Sequence, residues 1–200
     1  MNALRDRLLE RHESGHALNS QELGLHRDTR LAFQNLDYRP AAVLAAVTDR
    51  SEPGVLLTHR PATMRAHPGE IAFPGGKLDP GETPVEAALR EAWEELGIDR
   101  AKVHVIGTSD HYFTGSGFEI TPVIGMVPPD IELSPNPSEV AQWFEAPLDF
   151  VLDPANHQQH QIEFEGAMHP YWEINWQGHA IWGVTAGILV NLSRRLRWHD

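Results

Sequence analysis

Apolar residues in this chain come in three arrangements: continuous runs, period-two alternations and helical repeats. Their order predicts a mixed α/β domain. Residues 2–35 are charged and amphipathic, with Leu4, Leu8 and Leu9 at helical spacing, and predict one or two leading helices. Residues 41–48 are a continuous apolar run, the pattern of a strand buried on both faces. Ser51-Glu52-Pro53-Gly54 is turn chemistry and residues 55–59 return as a strand, so a hairpin is predicted. Residues 70–73 are short and extended. Residues 102–108 alternate with period two, and 119–127 do so in part. Another strand is predicted over 140–144, with a short helix after Pro147. Residues 161–164 and 171–176 read as a hairpin pair, and 184–197 as an amphipathic terminal helix. Pro128-Pro129 and Ser134-Pro135-Asn136-Pro137 mark loops within a domain rather than boundaries.

The strongest local pattern is a helix start. Thr83 is a predicted N-cap, Pro84 takes the first helical position and Glu86 completes a capping box. Val85, Ala88, Leu89, Ala92 and Leu96 form one apolar stripe, and Gly97 suits the C-terminus. At about 100° per residue, Glu91, Glu94 and Glu95 fall on a flank away from that stripe. Three carboxylates so placed repel one another unless a cation sits among them. Hard oxygen ligands of this kind suit Mg²⁺ or Mn²⁺. The alternative is a solvated acidic face, with Glu86–Arg90 and Arg90–Glu94 as i,i+4 pairs. The preceding loop, Phe73-Pro74-Gly75-Gly76-Lys77-Leu78-Asp79-Pro80-Gly81-Glu82, favours the metal. Its glycines let a main chain turn tightly and approach a ligand closely.

Taken together, Gly76, Glu82 and the run Arg90-Glu91-Ala92-Trp93-Glu94-Glu95-Leu96-Gly97-Ile98 carry the full spacing of the Nudix signature. The chain therefore resembles the Nudix hydrolases. The resemblance implies the Nudix fold, a mixed β-sheet sandwiched between helices. It implies metal ligation by Glu91, Glu94 and Glu95 and by the carbonyl of Gly75. Glu82 and Arg90 would brace loop against helix, with Gly76 and Gly97 as structural positions.

Upstream stand Leu56-Leu57-Thr58-His59-Arg60 and His67-Pro68-Gly69-Glu70-Ile71-Ala72-Phe73-Pro74-Gly75-Gly76. These look like the additional motif of the coenzyme A pyrophosphatase branch, and residues 181–189 also resemble it. Arg60, Arg65, His67 and Lys77 put cationic or proton-donating groups beside the metal site. Such groups suit a substrate carrying a diphosphate and a separate ribose phosphate. Their ordinary alternative is two solvated arginines and a His-Pro-Gly turn. The resemblance runs from about residue 40 to 190, which divides the chain into a helical extension over 1–36 and a Nudix domain over 37–200.

Composition narrows the partners. The formal net charge of −12 argues against broad nucleic-acid binding, so cations and a local basic patch must offset the field for an anionic substrate. Cysteine is absent, which excludes a thiol nucleophile and a Cys-based zinc site. No run is long enough for a membrane helix, and the polar N-terminus has no signal-peptide core; cytoplasm is the expected compartment. Of the twelve histidines, His157 and His160 are expected on a polar surface turn. Trp172, Trp176 and Trp182 are candidates either for stacking on adenine or for core and interface packing, and a homodimer is compatible with the latter.

The expected activity is metal-dependent hydrolysis of the diphosphate linkage of coenzyme A and its thioesters. The products would be 3′,5′-adenosine bisphosphate and 4′-phosphopantetheine, acylated where the substrate is a thioester. The alternatives are a Nudix pyrophosphatase for ADP-ribose, NADH or another nucleoside diphosphate derivative, and a non-catalytic ligand sensor. Intact Glu91, Glu94 and Glu95 argue against the sensor. A further acidic residue beyond the signature helix should complete the site. Glu139, after a proline-rich loop, is preferred over Glu119, which begins an alternating strand.

Overall fold

The computed structural model describes residues 3–21, 23–25, 37–63, 68–164 and 166–200. Helix α1 (Ala3–His16) precedes strands β1 (Arg39–Thr48), β2 (Gly54–His59), β3 (Ile71–Ala72) and β4 (Gly75–Lys77). Helix α2 (Pro84–Leu96) leads to β5 (His104–Thr108), β6 (Tyr112–Phe113), β7 (Phe118–Val127), β8 (Gln142–Pro147) and the short α3 (Leu148–Val151). Strands β9 (Gln158–Phe164), β10 (Ala167–Trp176) and β11 (His179–Trp182) form a separate antiparallel sheet, followed by α4 (Gly183–Leu196).

The main sheet runs β3-β2-β1-β7-β5. Its centre is β1, parallel to β7 over the whole length from Arg39–Phe118 to Thr48–Val127 and antiparallel to β2 and β4. The apolar run of β1 is explained by this position, because side chains alternate between two covered faces. Ala42, Leu44 and Ala46 pack with Ala87, Ala88, Ala92 and Leu96 of α2. Ala45 and Val47 pack on the opposite side with Leu8 of α1 and with Ile188, Leu189 and Leu192 of α4. The result is a mixed sheet between helical layers, as expected.

Several elements differ from the sequence expectations. The glycine loop contains β4, whose Gly75 and Gly76 pair with Val43 and Ala42. Strand β8 starts at Gln142, because Val140 is buried under α2 and its N–H closes a turn on the carbonyl of Asn136 at 2.8 Å. His160 lies within β9 rather than on a turn, while His157 is half-buried with Nε2 2.9 Å from the carbonyl of Val151. Trp172 and Trp176 pack against the core, whereas Trp182 is 40% exposed.

Helix α1 shares its core with residues 37–200. Leu8 is fully buried, and Arg195 of α4, only 4% exposed, donates to the carbonyls of Gly15 (2.8 Å) and Leu18 (2.7 Å). Its other nitrogens form a fork on Asp110 at 2.6 and 2.8 Å. Among the described residues no helix is long and apolar enough to cross a membrane.

Candidate active site

Helix α2 is fixed at both ends. Thr83 Oγ1 accepts from the backbone N–H of Glu86, and a Glu86 carboxylate oxygen accepts from the N–H of Thr83 at 2.8 Å, the expected capping box. Gly97 ends the helix in the left-handed region (φ 70°), a conformation glycine adopts without steric cost. With Ala88, Ala92 and Leu96 seated on the sheet, Glu91 and Glu95 are aimed one turn apart at β4.

Arg90 ties the loop to the helix. It grips both oxygens of Glu82 (2.9 and 3.0 Å), and its Nη2 donates to the carbonyl of Lys77 at 2.9 Å. Its Nη1 donates to Glu91 Oε1 at 2.8 Å and to Glu94 Oε2 at 3.3 Å. The Arg90 hydrogen bonds hold the Glu82 carboxyl below the usual range, and the same bonds, that to Glu82 foremost, push the guanidinium up.

Glu91, Glu95 and Glu139 converge, each able to offer one oxygen within 4.8 Å of the others. Glu95 is 5% exposed, with Oε1 3.5 Å from the amide nitrogen of Gly75. Gly76 leaves room for the Glu91 carboxylate: a Cβ there would stand 2.3 Å from Glu91 Oε1, so Glu91 would have to shift. Glu139 arrives on a loop that closes over the end of α2. The Ser134 N–H bonds the carbonyl of Leu96 (2.8 Å), and the Asn136 N–H bonds that of Glu95 (2.9 Å). These bonds satisfy carbonyls that a helix end leaves open.

The membership differs from the expected three signature glutamates. Glu94 is turned to Arg90 and half exposed. Helical rotation accounts for this, because Glu94 lies about 60° from Glu91 on the side away from Glu95. Glu119 pairs with His111 at 2.5 Å and is not in the group. Arg60 sits close enough to Glu95 to favour its charged form, and its Nε is buried with no partner among the described residues. Lys77 is exposed, its Nζ 5.8 Å from the Phe118 ring centroid. Arg65 and His67 lie outside the described residues. Asn136, whose Nδ2 donates to Glu139 Oε1 at 3.0 Å, was invisible as a site residue in the sequence. A signal existed in the Asn-Pro-Ser spacing, which favours an asparagine side chain turned back on its own backbone.

Burial, then the neighbouring Glu91 and Glu139, disfavour the charged form of Glu95 and push its carboxyl up to about 8 against the opposing Gly75 N–H and Arg60. Burial also raises Glu91, against Arg90. Buried oxygen donors that resist ionising together are relieved by a cation between them, and this all-oxygen set fits a small hard divalent ion. A pH dependence follows for the metal-free protein. Because the folded carboxyl of Glu95 is raised, its contribution to stability is complete below about 4.5 and is lost as pH rises through about 8. In chelator, the melting temperature of wild type should therefore fall relative to Glu95→Gln between those pH values. Parallel curves for the two proteins would contradict the raised carboxyl.

Residues 38–168 match the family model of the NUDIX domain. The chain belongs to the Nudix family. The protein named uncharacterized Nudix hydrolase NudL from Cronobacter sakazakii is 40% identical over 168 residues, covering 84% of this chain and 88% of that protein. The protein of the same name from Photorhabdus laumondii is 39% identical over 160 residues, covering 80% and 86%. Among solved structures, the Nudix hydrolase RenU from M. smegmatis is 29% identical, covers 56% of this chain and 71% of its own, and superposes with a TM-score of 0.49. Nudix hydrolases generally use divalent metal ions, which accords with the oxygen-rich site between β4 and α2.

Proposed function

We propose that this Nudix protein hydrolyses the diphosphate linkage of coenzyme A and its thioesters, releasing 3′,5′-adenosine bisphosphate and 4′-phosphopantetheine or, from a thioester, its acyl derivative. The observation that carries the hydrolytic part is the convergence of Glu91, Glu95 and Glu139 within 4.8 Å beneath the glycine loop. Glu91, Glu95, Glu139 and the carbonyl of Gly75 would hold Mg²⁺ or Mn²⁺, with Glu94 at the rim beside Arg90. A divalent ion there supplies charge neutralisation on the phosphoryl oxygens and acidifies a water. The Glu139 carboxylate, whose Oε1 accepts from Asn136 Nδ2, would also take the proton of the attacking water. Water adds to one phosphorus, the bridging P–O bond breaks, and the leaving phosphate departs with the electron pair.

The coenzyme A assignment rests on the motif from Leu56 to Gly76. Arg60 supports it physically, because its buried Nε, without a partner among the described residues and beside an acidic group, is suited to a substrate phosphate. Arg65, His67 and Lys77 are proposed as further substrate-binding residues on the strength of that motif. If Arg60 or Arg65 meets the ribose 3′-phosphate, coenzyme A should be cleaved roughly 10- to 150-fold more efficiently than dephospho-coenzyme A, the scale of one charge-assisted contact of about 1.5–3 kcal/mol. Replacing the responsible arginine should shrink that ratio. Equal kcat/KM on the two substrates would remove both arginines as readers of that phosphate.

A further inference from the structure

Glu91 and Glu95 are aimed by a capped helix, but Glu139 comes from a loop and needs another constraint. The loop's centre is Asn136, flanked by Pro135 and Pro137, which fix their own φ and restrict the residue between them. Every polar group of Asn136 is used. Its N–H donates to the carbonyl of Glu95 at 2.9 Å, and its own carbonyl accepts from the N–H groups of Glu139 (3.0 Å) and Val140 (2.8 Å). Its Oδ1 accepts from the Ser138 N–H (3.1 Å) and from Ser138 Oγ (2.7 Å). Its Nδ2 donates to Glu139 Oε1 at 3.0 Å.

This pattern fixes the amide orientation. A backbone N–H can only donate, so the atom facing the Ser138 N–H must be the side-chain oxygen. The NH₂ group is then directed at Glu139, and Glu139 Oε1 must be an acceptor. One residue thus joins the backbone of Glu95 to the carboxylate of Glu139. Two of the three converging carboxylates are thereby held in register.

We propose that Asn136 is the positioning residue of the site: its amide holds the Glu139 side chain by Oε1 and aims it at Glu91 and Glu95. The proposal rests on the reading of Glu139 as a member of the working site. With its amide oxygen on Ser138 and its amide nitrogen on Glu139, Asn136 acts on the site through Glu139 in this proposal.

The experiment measures Mn²⁺ affinity by calorimetry without substrate, together with kcat and KM on coenzyme A. Asn136→Ser keeps a short hydroxyl able to close the turn but cannot reach Glu139. Asn136→Asp keeps the turn acceptor and replaces the donor by an oxygen facing Glu139. Ser138→Ala breaks one turn bond and leaves the Asn136–Glu139 contact intact. Asn136→Ser should weaken Mn²⁺ binding and lower kcat by roughly 10- to 100-fold, the scale of a partner that orients a ligand, with KM little changed. Asn136→Asp should lose more, and Ser138→Ala should resemble wild type. Adding Asn136→Ser to Glu139→Gln should cause no further loss.

The proposal is overturned if Asn136→Ser binds Mn²⁺ and turns over like wild type while Glu139→Gln is impaired. It is also overturned if the two losses multiply in the double variant, or if Ser138→Ala is impaired as severely as Asn136→Ser. Normal activity of Glu139→Gln is the separate outcome that removes the role of Glu139, and with it that of Asn136. Melting temperatures of all variants distinguish these results from loss of fold.

Discussion

Glu95→Gln is expected to lower turnover by two orders of magnitude or more, the scale of a lost charge-stabilising group in a preorganised site. The substitution preserves shape, so packing against β4 should survive, and the metal-free protein should fold at least as well as wild type. The reason is that the carboxyl of Glu95 is 5% exposed and pushed up to about 8, so at neutral pH it gains little by being ionisable until a cation is bound. Two readouts should therefore move in opposite directions: Mn²⁺ affinity and turnover fall, while stability in chelator holds or rises. A Glu95→Gln protein with near-normal turnover and metal dependence would remove Glu95 from the site.

The second large effect lies far from the chemistry. Arg195→Ala is expected to destabilise the fold by on the order of 3–5 kcal/mol, because it breaks a buried guanidinium–carboxylate fork with bonds of 2.6 and 2.8 Å. It also strips the carbonyls of Gly15 and Leu18 of their donor. For a domain of this size that corresponds to a melting-temperature drop of roughly 6–20 °C, at about 2–4 °C per kcal/mol. The loss should be smaller when Asp110 and Arg195 are replaced together by apolar residues, since both charges of the fork are then removed. An Arg195→Ala melting temperature within a degree or two of wild type would show that α1 does not depend on this anchor.

Local determinants made parts of this molecule legible before the structure. Helix α2 could be read because its cap, stripe and terminator all lie within one short segment, Thr83 to Gly97. Strand β1 could be read because burial on both faces demands an unbroken apolar run. Strand β4 could not, since Gly75 and Gly76 carry no side-chain pattern and pair only because β1 lies beside them. Val140 misled the boundary of β8, as an apolar residue buried from a loop looks the same as one in a strand.

The site divides in the same way. Glu91 and Glu95 follow from helical rotation, but which neighbour of Glu91 faces β4 depends on how α2 sits on the sheet, so Glu94 was grouped with them. Glu139 was favoured over Glu119 by its loop, yet its distance to the other carboxylates depends on that loop closing over Leu96. The Asp110–Arg195 fork spans 85 positions, a separation at which no sequence pattern indicates a partner.

The central claim is tested most directly by incubating the purified protein with coenzyme A and Mn²⁺ and identifying the products by mass spectrometry, beside ADP-ribose and NADH under the same conditions. The account predicts 3′,5′-adenosine bisphosphate and 4′-phosphopantetheine in equal amounts, formed faster than any product from the other two substrates and abolished by chelator. Intact coenzyme A alongside rapid cleavage of ADP-ribose or NADH would contradict it.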